Sequence, residues 1–451
     1  MRNHRFLKQA LGFVLSAVLL LSQPFSALGA ELEVQDFAQP DFDIHAGGVY
    51  LVNLDTDQVI YQQNAQRRSF PASMTKVMTA ILILENADSL DDTFPAEYAH
   101  FDEFAGLNVS SADIRAGEEL TIKDYLYALM LPSGNEAANI LADYAGPGID
   151  AFVEKMNQRA KELGCTDTHF ANPHGLGDPE HYTTPKDMYL ITRHAMELPG
   201  FMEIVGSTRY TLPATDYAGE RVLNNTNKMM EQGSIYYDSA VQGIKTGTLE
   251  EGRTFVSSAS RGGMNYLLVL MDVPFEEKDG TESEYNLSFI DAGNFYDWVF
   301  STFTVENLLT VNQFVDEIKV ELAWEKDFIH LYPEQGITAL VPIGIEEDQI
   351  ERIIDTDESV KAPVQEGQVL GSLEILLDGQ SLGKVNLVSS ETVARSNLLY
   401  YLDLIKTMAS TWWFKTLVIC IVLLCIVYGI SCVFINRRRR RYKNIRRKRD
   451  F

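Results

Sequence analysis

The sequence predicts an α+β fold at residues 40–302, an antiparallel sheet flanked by helices. A small all-β domain at 303–395 and one transmembrane helix at 412–436 follow. Three observations predict this. Strand-like runs stand at both ends of the first region with helical patterns between them. Short alternating runs separated by turn residues fill the second region, and an uncharged apolar stretch bounded by tryptophans and arginines lies near the end of the chain.

Taken in order, Arg2, Arg5 and Lys8 precede an apolar run from Ala10 to Leu21, and small residues follow at Ala27, Gly29 and Ala30. This is the pattern of a secretory signal peptide, residues 1–29. An uncleaved anchor is the alternative, although the run is shorter than the roughly 20 residues a span needs. Gly48 to Leu54 and Gln58 to Gln62, joined at Asp55-Thr56-Asp57, read as a β-hairpin. Pro71-Ala72-Ser73 opens a strongly apolar helix containing Val77, Met78, Ile81 and Leu82. Helical patterns run from Ile122 to about Leu198, broken by a loop rich in Gly, Pro and His (HFANPHGLGDPEHYTTP). Strand patterns return at Gly243 to Leu249 and Thr254 to Val273, with a turn at Gly262-Gly263, and Leu287 to Phe300 forms a closing helix.

Beyond the all-β region, residues 396–411 read as a linker. Leu417 to Ile435 carries no charge, follows Trp412 and Trp413, and runs into Arg437 to Arg441. That combination predicts a single-pass span whose basic tail, 437–451, stays cytoplasmic, leaving everything between signal and span outside the cell. The tail is read as a topology determinant and lipid-headgroup contact rather than a nucleic-acid site. Net charge is −25. Because basic residues are concentrated at the two ends, the intervening chain is more acidic still, which argues against nucleic acid as a partner. Cys420, Cys425 and Cys432 lie in the span, so Cys165 stands alone outside it and reads as a small buried hydrophobe.

Three motifs carry chemistry: Ser73-Met74-Thr75-Lys76, Ser133-Gly134-Asn135 and Lys245-Thr246-Gly247-Thr248. Each is weak alone; their order and predicted placement are not. Ser73 and Lys76 at i and i+3 of a helix start project to one face, so the amine reaches the hydroxyl. Serine is a poor nucleophile until a base takes its proton, and a lysine of ordinary pKa about 10.4 must be lowered to serve. Burial and a second cation, for which Lys245 is the candidate, act in that direction. A lysine among Met74, Val77 and Met78 is costly unless it has a function. Lys245 to Thr248 suits an edge strand holding an extended peptide, with Gly247 permitting close approach and the lysine and hydroxyls taking a terminal carboxylate.

These three boxes resemble the signature set of penicillin-binding proteins and serine β-lactamases. The surrounding SMTKVMTAILILE, PSGNEAA, NPHGLGDPEHYTTPKD, LNNTN and GIKTGT are similar to low-molecular-mass D-alanyl-D-alanine carboxypeptidases. The likeness extends over Gly48 to Trp298, and VKAPVQEGQVLG at Val360 to Gly371 resembles that subfamily's C-terminal domain. The resemblance implies a β-lactamase/transpeptidase-like fold and a hydrolase acting on peptidoglycan stem peptides, with β-lactams as covalent inhibitors and no metal or cofactor. It implies catalytic roles for Ser73, Lys76 and Ser133. It assigns substrate binding to Asn135, Lys245, Thr246, Gly247 and Thr248, with backbone N–H groups of Ser73 and Thr248 as the oxyanion hole.

The sequence departs from the pattern in three places. Relatives often carry a carboxylate-binding arginine shortly before the last helix, and Gly280 to Ser288 has none. Arg253 stands where a small or apolar residue is usual. A hydrophobic span replaces the amphipathic helix by which many relatives lie on the bilayer. His169, His174 and His181 match no zinc spacing and read as loop structure. A β-lactamase is the competing enzyme, but the Glu-x-x-Leu-Asn loop signature is absent, and the β domain and tether count against it. A non-catalytic wall-binding or antibiotic-sensing protein is the competing class, and intact Ser73, Lys76 and Lys245, with a lysine kept on an apolar helix, argue against it.

Overall fold

A computed structural model describes residues 39–447. The signal peptide expected at 1–29 lies outside the described residues, as do the last four residues of the basic tail. The chain divides into two compact units, the first running to Val305 with Leu340–Gly344 added, the second comprising Glu306–Ala339 and everything from Ile345 onward.

In the first unit the chain order is β1 (Gly48–Asn53), β2 (Gln58–Gln63), α1 (Lys76–Asn86), β3 (Thr93–Pro95), β4 (Glu119–Thr121), α2 (Ile122–Met130), α3 (Asn135–Tyr144) and α4 (Ile149–Glu162). It continues with α5 (Pro185–Glu197), α6 (Phe201–Val205), β5 (Arg209–Leu212), β6 (Arg221–Asn224), β7 (Lys245–Thr248), β8 (Arg253–Arg261), β9 (Met264–Val273) and α7 (Leu287–Thr302). Five strands form an antiparallel sheet in the order β2-β1-β9-β8-β7, which leaves β7 at an edge.

The inner strands are apolar on both faces, and their alternation divides them between two cores. Tyr50, Val52, Leu267, Val269 and Met271 face the core that holds α1, α2, α3 and α5. Val49, Leu51, Leu268 and Leu270 face the core closed by Phe295, Tyr296 and Val299 of α7. A continuous apolar run therefore means a sheet covered twice. α1 lies at the centre, with every residue from Lys76 to Ile83 buried. Local sequence fixes the helix starts around it. Thr121 and Asp124 form a reciprocal capping box on α2, and Thr184 caps α5 with Pro185 at its first position.

The second unit takes β10 (Phe303–Leu309) onward in part. It contains β11 (Asp316–Glu321), β12 (Phe328–Pro333), β13 (Ile337–Pro342), β14 (Ile350–Thr356), β15 (Ser359–Lys361), β16 (Val369–Leu377) and β17 (Gln380–Ser389), some of them only partly within it. Six of these make one sheet in the order β14-β16-β17-β12-β11-β15. Its apolar face buries Ile318, Ile329, Leu331, Leu373, Ile375 and Leu387.

The stretch 396–411, expected as a linker, is instead a helix, α8 (Asn397–Ser410), capped by Ser396. Leu398, Tyr401, Leu402, Ile405 and Met408 recur at helical spacing and are exposed, so α8 carries an apolar stripe. α9 (Trp412–Arg447) follows directly, and its Trp412–Arg439 portion is long and apolar enough to cross a membrane.

Candidate active site

Ser73 lies in a 3-10 turn, Ala72–Thr75, that runs straight into α1. Ala72 adopts φ +49°, in the left-handed region, and so turns Ser73 toward the cleft. Thr75 Oγ1 donates to Ala72 O at 2.7 Å, and the His181 ring nitrogen Nε2 lies 2.8 Å from the same hydroxyl. His181 Nδ1 accepts the Ala171 N–H, so Nε2 carries the proton and donates to Thr75. Burial holds the His181 pKa down at about 3, which keeps the ring neutral.

One turn along, Lys76 is fully buried, and Nζ lies 3.0 Å from Ser73 Oγ, 2.7 Å from Asn135 Oδ1 and 2.7 Å from the His174 carbonyl. Burial first, and then the charge of Lys245, hold the Lys76 pKa well below the ordinary lysine value. Two of its three neighbours are acceptors only. A neutral amine satisfies all three by donating two N–H bonds to Asn135 and His174 and accepting the Ser73 O–H. The His174 carbonyl reaches Lys76 because Gly175, at φ +85°, packs against the Ala72 carbonyl, where a Cβ would lie 1.9 Å from the oxygen.

Ser133 sits on the turn between α2 and α3, and Asn135 is the first residue of α3. Ser133 is held at φ +68°, and its buried Oγ has no hydrogen-bond partner among the described residues. A strained backbone and an unused buried hydroxyl on one residue mark a position shaped for something other than stability. Asn135 is held by its own N–H to Ser110 O at 3.1 Å. Buried Glu136 accepts from Ser111 Oγ and Ala112 N, both at 2.7 Å, and fixes the facing loop.

The third motif forms β7. Lys245 is buried, donates to Thr246 O at 2.9 Å, and has its pKa brought down to about 7 by that burial. Gly247 has a packing role of its own. A Cβ there would meet Thr254 Oγ1 at 2.2 Å and Ala72 Cβ at 2.9 Å, so the glycine lets β7 pack against the turn that carries Ser73. Thr246 Oγ1 and Thr226 Oγ1 are 2.6 Å apart, and Asn227 donates its side-chain amide to Gly243 O at 2.8 Å. Sequence reasoning gave the LNNTN segment no physical role. Its Asn-rich turn chemistry was the available signal, and its partner is remote in sequence.

Ser73, Ser133, Asn135, Thr246, Gly247 and Thr248 line one cleft of about 880 Å³, while Lys76 and Lys245 lie in its wall. All eight residues singled out in the sequence thus gather around a single site. Cys165 is buried, and burial raises its thiol pKa.

The first unit is thus a five-stranded antiparallel sheet covered by helices with one cleft bordered by edge strand β7, and a six-stranded sheet forms the body of the second unit. Profiles for two families match the chain, D-alanyl-D-alanine carboxypeptidase over residues 34–274 and penicillin-binding protein 5, C-terminal domain, over residues 303–395. The chain belongs to the D-alanyl-D-alanine carboxypeptidase family and is an enzyme of that hydrolase class. It is 29% identical over 416 residues to D-alanyl-D-alanine carboxypeptidase DacF of Bacillus subtilis, an alignment spanning 91% of this chain and 100% of the relative. It is 33% identical over 254 residues to the D-alanyl-D-alanine carboxypeptidase of Streptomyces sp. strain K15, covering 53% of this chain and 86% of the relative. In structure it is similar to penicillin binding protein 5 from Haemophilus influenzae, with TM-score 0.63 and 23% identity over 79% of this chain and 100% of that one, a likeness of fold.

Proposed function

We propose that this chain removes the terminal D-alanine from peptidoglycan pentapeptides through an acyl-enzyme on Ser73, and that β-lactams acylate the same serine. The observation that carries this reading is the Lys76 amine, fully buried and 3.0 Å from Ser73 Oγ, in the wall of a cleft bordered by edge strand β7. In the proposed cycle Ser73 Oγ attacks the carbonyl between the two terminal D-alanines while Lys76 takes its proton. The C–N bond breaks, and the proton passes through the Ser133 hydroxyl to the departing amine. Water then attacks the ester, Lys76 takes its proton, and Ser73 is restored as its hydroxyl with release of the shortened peptide. Backbone N–H groups of Ser73 and Thr248 hold the oxyanion in both halves.

Substrate binding is assigned on the same basis. The free edge of β7 pairs with an extended peptide. Asn135, whose Oδ1 is engaged by Lys76, presents its amide nitrogen to the substrate. Lys245, Thr246 and Thr248 take the carboxylate, and Gly247 keeps β7 close to the nucleophile. α9 anchors the chain in the bilayer, with the catalytic domain outside and the basic tail inside.

The test is release of D-alanine from a pentapeptide by the purified full-length protein, measured beside hydrolysis of penicillin and beside Ser73→Ala. Release that exceeds antibiotic turnover and disappears in Ser73→Ala is expected. Rapid antibiotic turnover without D-alanine release would instead make the protein a β-lactamase. Protease treatment of intact and permeabilised cells tests the orientation; digestion of the tail in intact cells would reverse it.

A further inference from the structure

Lys76 is aimed by two fixed acceptors, the His174 carbonyl and Asn135 Oδ1, and a single carboxylate outside the cleft reaches the supports of both. Glu103 belongs to a short 3-10 turn, Asp102–Phe104, a few residues ahead of Asn108, Val109 and Ser110 in the cleft wall. Its Oε1 accepts from Asn139 Nδ2 at 2.5 Å, and the same oxygen stands 3.4 Å from His174 Nε2. Asn139 is four positions beyond Asn135 on α3, so the two amides lie on one face of that helix.

The His174 ring is buried, and burial holds its pKa below the ordinary histidine value, which keeps it neutral. Nδ1 accepts the Leu176 N–H at 3.1 Å, so the ring proton sits on Nε2. Among the described residues Nε2 completes no hydrogen bond, and Glu103 Oε1 is the acceptor set against it. A buried donor costs free energy until it is paired, which draws the ring toward that oxygen. Phe104, next in the chain, meets the ring edge to face with centroids 5.2 Å apart. The loop around His174 is braced by Asn172, which accepts the Gly175 N–H at 2.7 Å and donates to Leu176 O at 2.8 Å. In so constrained a loop, a rotation of the ring carries the carbonyl of the same residue with it. Glu103 itself is half exposed and does not line the cleft, so its ion pair adds little to stability.

We propose that Glu103 is a positioning residue for the catalytic base, its one oxygen bracing the His174 ring and Asn139 and thereby holding both acceptors of Lys76 in place. This rests on the reading of Lys76 as the base. Glu103 touches neither substrate nor the reacting atoms, and its effect falls on the aim of the amine rather than on peptide binding.

The test measures D-alanine release from an N-acylated peptide ending in D-Ala-D-Ala, and the rate of fluorescent penicillin labelling, with full-length protein in detergent. Glu103→Ala is expected to lower kcat and the labelling rate by about threefold to tenfold, with KM and melting temperature close to the parent's. Glu103→Gln keeps an oxygen for both donors and should recover most of the loss. In a His174→Ala background, which retains the carbonyl and removes the ring, Glu103→Ala should cost at most about twofold more. Parental kcat in Glu103→Ala, a loss confined to KM, no recovery in Glu103→Gln, or the full loss repeated without the His174 ring overturns the proposal. Labelling without D-alanine release would defeat the carboxypeptidase reading alone, and the labelling rates then decide Glu103. Should the parent neither release D-alanine nor take label, the Ser73–Lys76 reading fails by itself. Crystal structures of the parent and Glu103→Ala then decide Glu103: a His174 carbonyl withdrawn from Lys76 in the variant supports the proposal, and one left in place overturns it.

Discussion

The Lys76 amine donates to Asn135 Oδ1 at 2.7 Å, across 59 positions of sequence, and thereby ties the first of the three motifs to the second. The bond orients the amine toward Ser73 and fixes the Asn135 amide at once. Asn135→Ala should therefore impair acylation as well as substrate binding. Fluorescent penicillin labelling of Asn135→Ala is expected to slow by about ten- to a hundredfold. Labelling at the parental rate would show that the amine is held without it.

Lys76→Ala removes the proposed base and, with it, a buried amine. Acylation should fall by about 10²–10⁴-fold, the usual range for a positioned acid or base. The melting transition should survive, because no buried charge is stranded. A rate within threefold of the parent would move the base to another residue.

Ser133 combines a left-handed backbone with a buried hydroxyl that has no partner among the described residues. Glycine adopts that backbone without steric cost and brings no hydroxyl. Ser133→Gly is expected to raise the urea midpoint, by on the order of 1 kcal/mol of stability, while D-alanine release collapses. A lower midpoint would mean that the conformation is not strained.

Gly247→Ala tests the packing of β7 on the Ser73 turn. The added methyl would overlap Thr254 Oγ1 and Ala72 Cβ. Loss of labelling together with a lower melting temperature is expected. An active, fully stable Gly247→Ala protein would return the glycine to the role of admitting substrate.

The pH dependence follows from the two lysines. In the proposed mechanism Lys76 acts unprotonated and Lys245 protonated; burial holds the Lys76 pKa well below the ordinary lysine range and brings that of Lys245 down to about 7. kcat/KM should therefore fall as pH rises beyond about 7, and Lys245→Arg should move that limb upward. Stability runs the other way. Between about pH 7 and the ordinary value of 10.5 the unfolded chain binds the Lys245 proton that the folded chain has released, so stability rises with pH across that window. Urea midpoints at pH 7 and pH 9 should increase in the parent and increase less in Lys245→Met; equal slopes would remove Lys245 from the explanation.

Much of the fold was legible because its signals are local. The β1–β2 hairpin, the helix opened by Pro71-Ala72-Ser73, the strand pair broken at Gly262-Gly263 and the closing helix α7 each follow from periodicity and turn residues within a few positions. The helix over 397–410 was not recognised, because a short polar-flanked stretch between a β domain and a span also fits a linker. The supports of the site were missed for another reason. His181 beneath Thr75, the His174 carbonyl on Lys76 and Thr226 against Thr246 join segments 106, 98 and 20 residues apart, and no spacing rule connects them.

The sequence by itself determined that a serine and a lysine share one face of a helix start, that a second lysine belongs to a strand, and that an apolar segment bordered by arginines is long enough to span a bilayer. Those statements need only helical and strand geometry and hydrophobic length. Tertiary structure alone decided that Lys76 is sealed from water against two fixed acceptors and that Gly247 makes room for the chain's own Ala72. Burial, desolvation and packing are properties of what surrounds a residue, and for these two the surroundings come from distant parts of the chain.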